Sequence, residues 1–269
     1  MKRIIFTIIF GVFITTTYAQ NTTADSAKKS TDTSQTGKPK ILISFGNHNG
    51  DNDTVYHRYN HYPKAYIGLT LSRIDLGFAT LVDNGSFTLS KQNQFLHYNQ
   101  WKTSNVGFDV FQFGVKFSGT FKIYLSGGFD WTLIRLQDNI TMLPGQPSLS
   151  YKQDNIDFSK NRFSSSYLRI PLSFDIRSKQ DYRGNRFHFV FGPDGGFLLG
   201  GMVKQISSEF GKQKFYNDYN FTTFRYGGFV RIGYGDFGIF AKYYFNNMFE
   251  NSPQQDGLRN FSFGITLGF

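Results

Sequence analysis

The sequence predicts an all-β fold, a transmembrane antiparallel up-and-down β-barrel of about eight strands, and three observations carry that expectation. From Pro63 to Phe269 the chain is a series of segments in which apolar and polar side chains alternate, the period of a strand with two unlike faces. After the first 19 residues, no run reaches the roughly 18 apolar residues that a membrane helix needs. A chain of this kind can then cross lipid only as a closed barrel, in which every backbone group is paired. The connections between segments also alternate, short then long, as they do at the two ends of a membrane barrel.

Residues 1–19 read as a signal peptide. Lys2 and Arg3 make a basic start, Ile4 to Ile14 an apolar stretch too short to span a bilayer, and Thr17-Tyr18-Ala19 a small-residue cleavage site before Gln20. Residues 20–39 are rich in Ser, Thr and Lys. Such a segment cannot bury enough surface to offset the entropy of ordering, and a flexible periplasmic leader is expected. Residues 40–62 form a polar connector that includes an apolar run at 41–45, whose pairing the sequence leaves open. The connector also carries His48, Asp51, Asp53, His57 and His61. Two histidines four apart can share a metal on one helical turn, but this stretch is rich in Asn, Asp and Gly and need not be helical, so no metal site is expected.

Residues 63–269 are the expected barrel domain. The first strand lies between Pro63 and Val82; its apolar parity switches near Arg73, so it bulges or ends at Ser72. The second, between Trp101 and Phe117, switches parity near Val110-Phe111, which a bulge would explain. The third sets Phe121, Ile123, Leu125, Phe129, Trp131 and Leu133 against Lys122, Tyr124, Ser126, Asp130 and Thr132. The fourth, Phe163 to Ser178, sets Leu168, Ile170, Leu172, Phe174 and Ile176 against Arg169, Ser173, Asp175 and Arg177. The fifth, Arg186 to about Val203, sets Phe187, Phe189 and Phe191 against His188, Val190 and Gly192. The sixth opposes Phe224, Tyr226, Val230, Ile232 and Tyr234 to Arg225, Gly227, Arg231 and Gly233, and the seventh opposes Phe237, Ile239, Ala241, Tyr243 and Phe245 to Gly238, Phe240, Lys242, Tyr244 and Asn246. In the eighth, Phe261, Phe263, Ile265, Leu267 and Phe269 share one face.

Seven basic side chains, Lys116, Lys122, Arg169, Arg177, Arg225, Arg231 and Lys242, fall on the polar parity. A soluble sandwich or lipocalin-like barrel would point its apolar parity inward and its charges outward. The amount of Phe and Tyr on one parity favours lipid on that face and an enclosed polar lumen on the other. Short links (Ser118-Gly119, Lys179 to Asn185, Gly235-Asp236) alternate with long polar ones (Asp83 to Gln100, Gln137 to Arg162, Lys204 to Asn220, Asn247 to Leu258).

Composition agrees with this reading. Of the 269 residues 19% are aromatic, with 32 Phe and 16 Tyr, and these are strand formers; the mean hydropathy of −0.35 shows a chain that is not greasy overall. With no Cys, neither a disulfide framework nor a lipoprotein anchor is expected. The formal charge of +10 falls to +8 once Lys2 and Arg3 leave. An exported protein rarely meets nucleic acid, so anionic lipid headgroups, lipopolysaccharide among them, or acidic envelope polymers are the expected partners rather than nucleic acid.

The last eight residues, Ser262 to Phe269, look like the C-terminal signature by which outer-membrane barrels are recognised by the barrel assembly machinery. The interior resembles the PorT-like outer-membrane β-barrel family of Gram-negative bacteria. Tyr167-Leu168-Arg169-Ile170-Pro171-Leu172, Gly192-Pro193 with the glycines after it, and Phe224-Arg225-Tyr226-Gly227 leading to Ile232-Gly233-Tyr234-Gly235 carry the likeness, over roughly Lys64 to Phe269. The resemblance implies an outer-membrane address and, because one member is linked to protein secretion, a possible envelope or secretion partner.

An interior of about eight strands has just enough width for its side chains, so no continuous aqueous pore is expected. Lys122, Arg169, Arg177, Arg225 and Arg231 are expected to pair inside with Asp130, Asp175 and Asp194. His188 stands near Asp194 by sequence, as in a hydrolase site, but no Gly-x-Ser-x-Gly elbow accompanies it. No catalytic, cofactor-binding or metal-ligating residue is assigned. The expected role is a non-enzymatic structural, scaffold or partner-binding barrel, with a narrow channel for ions or small solutes as the alternative.

Overall fold

The structure, a computed structural model, describes residues 42–45, 62–70 and 73–269. The signal peptide, the leader and the cluster of His48, His57 and His61 lie outside the described residues.

The described elements are almost all β. They are β1 (Leu42–Phe45), β2 (Lys64–Leu69), β3 (Ile74–Asp83), β4 (Ser104–Lys116), β5 (Phe121–Leu136), β6 (Ile140–Met142), β7 (Tyr151–Gln153), β8 (Phe158–Arg177), β9 (Phe187–Ser207), β10 (Gly211–Asn217), β11 (Phe224–Tyr234), β12 (Phe237–Tyr244) and β13 (Leu258–Leu267). Eight of them, β3, β4, β5, β8, β9, β11, β12 and β13, pair in chain order, each antiparallel to the next. β13 then pairs with β3, from Leu258 opposite Asp83 to Leu267 opposite Ile74, and the barrel is closed.

The two irregularities anticipated at the front are one local feature. The first strand is split: β2 and β3 both pair with β4, β2 against Phe111 to Lys116 and β3 against Ser104 to Phe108. Where they part, β4 bulges between Asp109 and Phe111 in its ladder with β5. The Thr70 N–H reaches the Val110 carbonyl (2.8 Å) and the Asp109 N–H the Arg73 carbonyl (3.1 Å), so the backbone groups freed by the break are still paired. Gly127 and Gly128 face the bulge. A Cβ on Gly128 would lie 2.0 Å from the Phe108 carbonyl oxygen, and one on Gly127 2.1 Å from the Phe111 ring.

Besides β2, four strands lie outside the barrel ring. Within the apolar run, Leu42–Phe45 joins as β1, parallel to β2, with Leu42 opposite Tyr66 and Phe45 opposite Leu69. Two links expected as loops are partly sheet. β6 and β7 form a hairpin within the link Gln137 to Arg162, and β10 folds back on the end of β9 within the link Lys204 to Asn220. β8 and β9 therefore reach 20 and 21 residues, well past the roughly 9–11 that cross lipid, and make a wall projecting from the loop end.

The two faces are inverted relative to a soluble barrel. Phe113, Phe237 and Ile239 are each more than half exposed on the outer face, while Asp75, Asp130 and Arg169 are at most 1% exposed inside. Phe269 departs from the face expected for it. β13 ends at Leu267, Gly268 takes a φ of +76°, and the Phe269 ring turns into the lumen, where it stacks on His188 with centroids 4.9 Å apart. Only a residue free of the Cβ penalty adopts that φ readily.

Gly128→Val is expected to lower the fraction of chain that refolds into detergent as the compact, fast-migrating form on an unheated gel. Gly119→Ala, in a turn where the nearest atom is 3.8 Å from the new carbon, is expected to leave that fraction unchanged.

Candidate functional site

The inward parity of eight strands brings a set of ionised side chains to one axis. Asp75 comes from β3, Asp109 from β4, Asp130 from β5, Arg169 from β8, Arg225 and Arg231 from β11, and Lys242 from β12. Arg169 is the centre. Its Nη1 donates to Asp75 Oδ2 at 2.8 Å, and its Nε and Nη2 donate to Asp109 Oδ1 at 2.9 and 2.7 Å. Asp130 Oδ2 lies 3.8 Å from the same guanidinium. Gly107 leaves the space for this: a Cβ there would be 2.9 Å from both Arg169 Nη1 and Asp130 Oδ2.

Each carboxylate has further partners. Asp75 accepts from Arg231 Nη2 (2.9 Å) and from the Thr266 hydroxyl (2.8 Å). Asp130 accepts from Arg225 Nη2 (2.6 Å), Lys242 Nζ (2.6 Å) and Asn105 Nδ2 (3.1 Å). Asp109 also accepts from Arg73 Nη1 (3.3 Å). The Arg225 guanidinium is held between the Tyr167 and Tyr244 rings, 3.8 and 4.1 Å from their centroids, a cation–π arrangement that steadies a desolvated cation.

Two other layers flank this network. Toward the short turns, Asp175 lies 3.0 Å from Lys122 Nζ and 3.4 Å from His188 Nδ1. Toward the long loops the lumen turns apolar. Leu81, Ile134, Ile140, Met142, Phe163, Val203, Phe221, Phe249 and Leu258 form one buried cluster. Phe221 stacks between Phe163 and Phe249 at 4.7 and 5.0 Å. Between network and plug lies a cavity of about 20 Å³, lined among others by Thr132, Ser165, Tyr167, Arg225 and Tyr244, about the room of one water molecule.

The expected lumen pairs are met in part. Asp130 and Asp175 serve as anticipated, with Arg225 and Lys122. Asp194 instead accepts from the Tyr244 hydroxyl at 3.1 Å, and among the described residues it enters no ion pair within 4.0 Å. His188 and Asp194 are not brought together. Six positions apart on one strand puts them about 20 Å from each other, and His188 meets Asp175. Sequence reasoning did not name Asp75 and Asp109 as acceptors. Both sit beside the break between β2 and β3 and the bulge in β4, where face assignment from parity is lost. The plug is not legible either, because Phe249 belongs to a link that is otherwise polar and Phe221 falls between another such link and the alternating segment that starts at Phe224.

A family model described as an outer membrane protein beta-barrel domain matches residues 84–250, more than half of the chain. No curated protein matches it.

Arg169→Met would leave Asp75 and Asp109 short of their shared partner inside the barrel. Removal of one side of a buried ion network costs about 3–5 kcal/mol, so a marked fall in the thermal midpoint of the folded band in detergent is expected. Arg183→Met, on an exposed turn, is expected to change that midpoint little, within about 0.5 kcal/mol.

Proposed function

We propose, from the premise that the chain belongs to the outer-membrane protein β-barrel domain family, that it is a non-enzymatic barrel of the Gram-negative outer membrane. In this reading it is exported by its signal peptide, assembled by the barrel machinery through its C-terminal strand, and acts by scaffolding or receiving an envelope protein. The turn end faces the periplasm and the loop end the outside, as short turns and long loops are disposed in such barrels.

The apolar plug at the loop end is the observation that carries this reading. Phe163, Phe221, Phe249 and their neighbours close the axis with stacked rings, and an apolar constriction resists wetting. Below it, the axis is filled by paired charges in place of a water-lined path. The surface on offer to a partner is instead the projecting wall, where Phe210 at the tip of the β9–β10 hairpin and Tyr216 on β10 are exposed; aromatic side chains are enriched at interaction sites. The likeness to the PorT-like family supports an envelope or secretion protein as that partner.

Conductance tests the narrow-channel alternative. The purified mature chain in planar bilayers is expected to give no steady openings; reproducible, ion-selective openings would overturn the scaffold reading.

A further inference from the structure

Basic side chains stand directly opposite one another across four adjacent strands on the outer face of the wall. Arg135 of β5 is opposite Arg162 of β8, Arg162 is opposite Lys204 of β9, and Lys204 is opposite Lys214 of β10. Lys160 and Lys212 flank Ile206 in the next rung. The alternate residues Asn161, Phe163, Val203 and Gln205 are buried inside, so these six cations point outward. With strands about 4.8 Å apart, the four-strand row covers about 14 Å.

Like charges in direct register destabilise a sheet, and nothing described within the chain relieves this row. Among the described residues none of the six enters a salt bridge. The charged groups acting on Lys204 are Lys212, Arg162 and Lys214, cations without exception, and the strongest of those acting on Lys160 are Arg162, Lys204, Arg135 and Lys212. Arg135 donates to the Ser159 carbonyl at 2.5 Å, while the buried Arg162 Nε has no hydrogen-bond partner among the described residues.

The position of the row identifies what would relieve it. The adjoining rung toward the turn end is Leu133, Ser164, Met202 and Tyr216, and below it the outer face continues through Trp131, Phe129, Leu168 and Ile170. The cations therefore sit at the edge of the apolar belt, facing sideways into the membrane interface. An anion that meets them there is carried on a molecule whose other part lies in hydrocarbon.

We propose that this ladder binds the phosphate groups of a phosphorylated glycolipid of the outer leaflet, a headgroup of the lipopolysaccharide type. A row about 14 Å long has room for more than one phosphate, and arginine forks bind such groups bidentately. The proposal rests on the orientation given above, with the loop end outward.

The test uses the mature chain in neutral detergent at low salt, titrated with lipopolysaccharide, its dephosphorylated form, phosphatidylglycerol or inorganic phosphate, and reads the thermal midpoint of the folded band. Lipopolysaccharide is expected to protect at a concentration at least tenfold below that of its dephosphorylated form. In Arg162→Gln/Lys204→Gln that difference disappears, and without lipid the variant melts no lower than the parent. Lys212→Gln/Lys214→Gln, on the exposed strand β10, carries the same test should the first variant fail to fold, with a loss of at least threefold. Equal protection by the two forms, an unchanged preference in the variants, or equal protection by phosphatidylglycerol or inorganic phosphate would overturn the proposal. Flotation with phosphatidylcholine vesicles reads the membrane reading separately: failure to float overturns both, whereas flotation without lipopolysaccharide preference overturns the ladder alone.

Discussion

Asp75 reaches both Arg169 and Arg231 only because the sheet has closed on itself. Asp75 belongs to the first strand of the ring, and the side chains that complete its environment, Arg231 and Thr266, come from strands more than 150 residues later. An open sheet would leave that carboxylate and those cations far apart. The backbone imposes the same condition independently: in lipid an unpaired strand edge costs several kcal/mol per exposed group, and the β3–β13 ladder removes both edges at once. Closure therefore satisfies two demands with one geometry, a paired backbone at the wall and paired charges along the axis.

That shared dependence explains the layering. An eight-stranded interior is filled by its own side chains, so its contents must be compatible with one another from end to end. The middle holds carboxylates matched to guanidinium and ammonium groups, because a lone ion there would be prohibitively costly. The turn end holds a smaller set, Lys122, Asp175 and His188, covered by the Phe269 ring. At the loop end, where the wall rises beyond the belt, the filling is aromatic and aliphatic, contributed as much by the links as by the strands. Arg225 marks the boundary. It pairs with Asp130 on one side while its faces pack against Tyr167 and Tyr244, so one residue belongs to both the polar and the aromatic layers.

What was legible in the sequence follows from which signals have a period. Segments such as Phe121–Leu133 and Phe261–Leu267 alternate without interruption, and there the face of every side chain could be read, including the inward placement of Lys122, Arg169 and Lys242. The break at 70–73 and the bulge at Val110 were visible as parity switches, but a switch tells only that the face changes. Asp75 and Asp109, which the network needs most, lie beside those switches. The strands β6, β7 and β10 are not legible as strands because they run for only three, three and seven residues inside links that are mostly polar, too short for a period to show. Phe269 was misplaced for a different reason: alternation assigns a face only while the chain stays extended, and the positive φ of Gly268 ends it. The general outer-membrane barrel family was within reach of such patterns, since they report fold and solvent; a partner leaves no periodic trace.

Arg162 and Arg169 show what pattern and register contribute together. They lie seven positions apart on β8, an odd interval, and therefore on opposite faces. Composition counts them alike, and so does net charge. Arg169 points to an axis where carboxylates from two strands hydrogen-bond its fork. Arg162 points away from the axis, flanked in register by Arg135 and Lys204, with cations on both sides in place of acids. Within one molecule the same side chain is thus neutralised internally at one height and presented at another. The difference arises from strand parity and pairing register, neither of which a charge total retains. A basic barrel of this build divides its surplus accordingly: the inner part is spent on holding the wall closed, and the outer part is set where the belt ends and the polar interface begins.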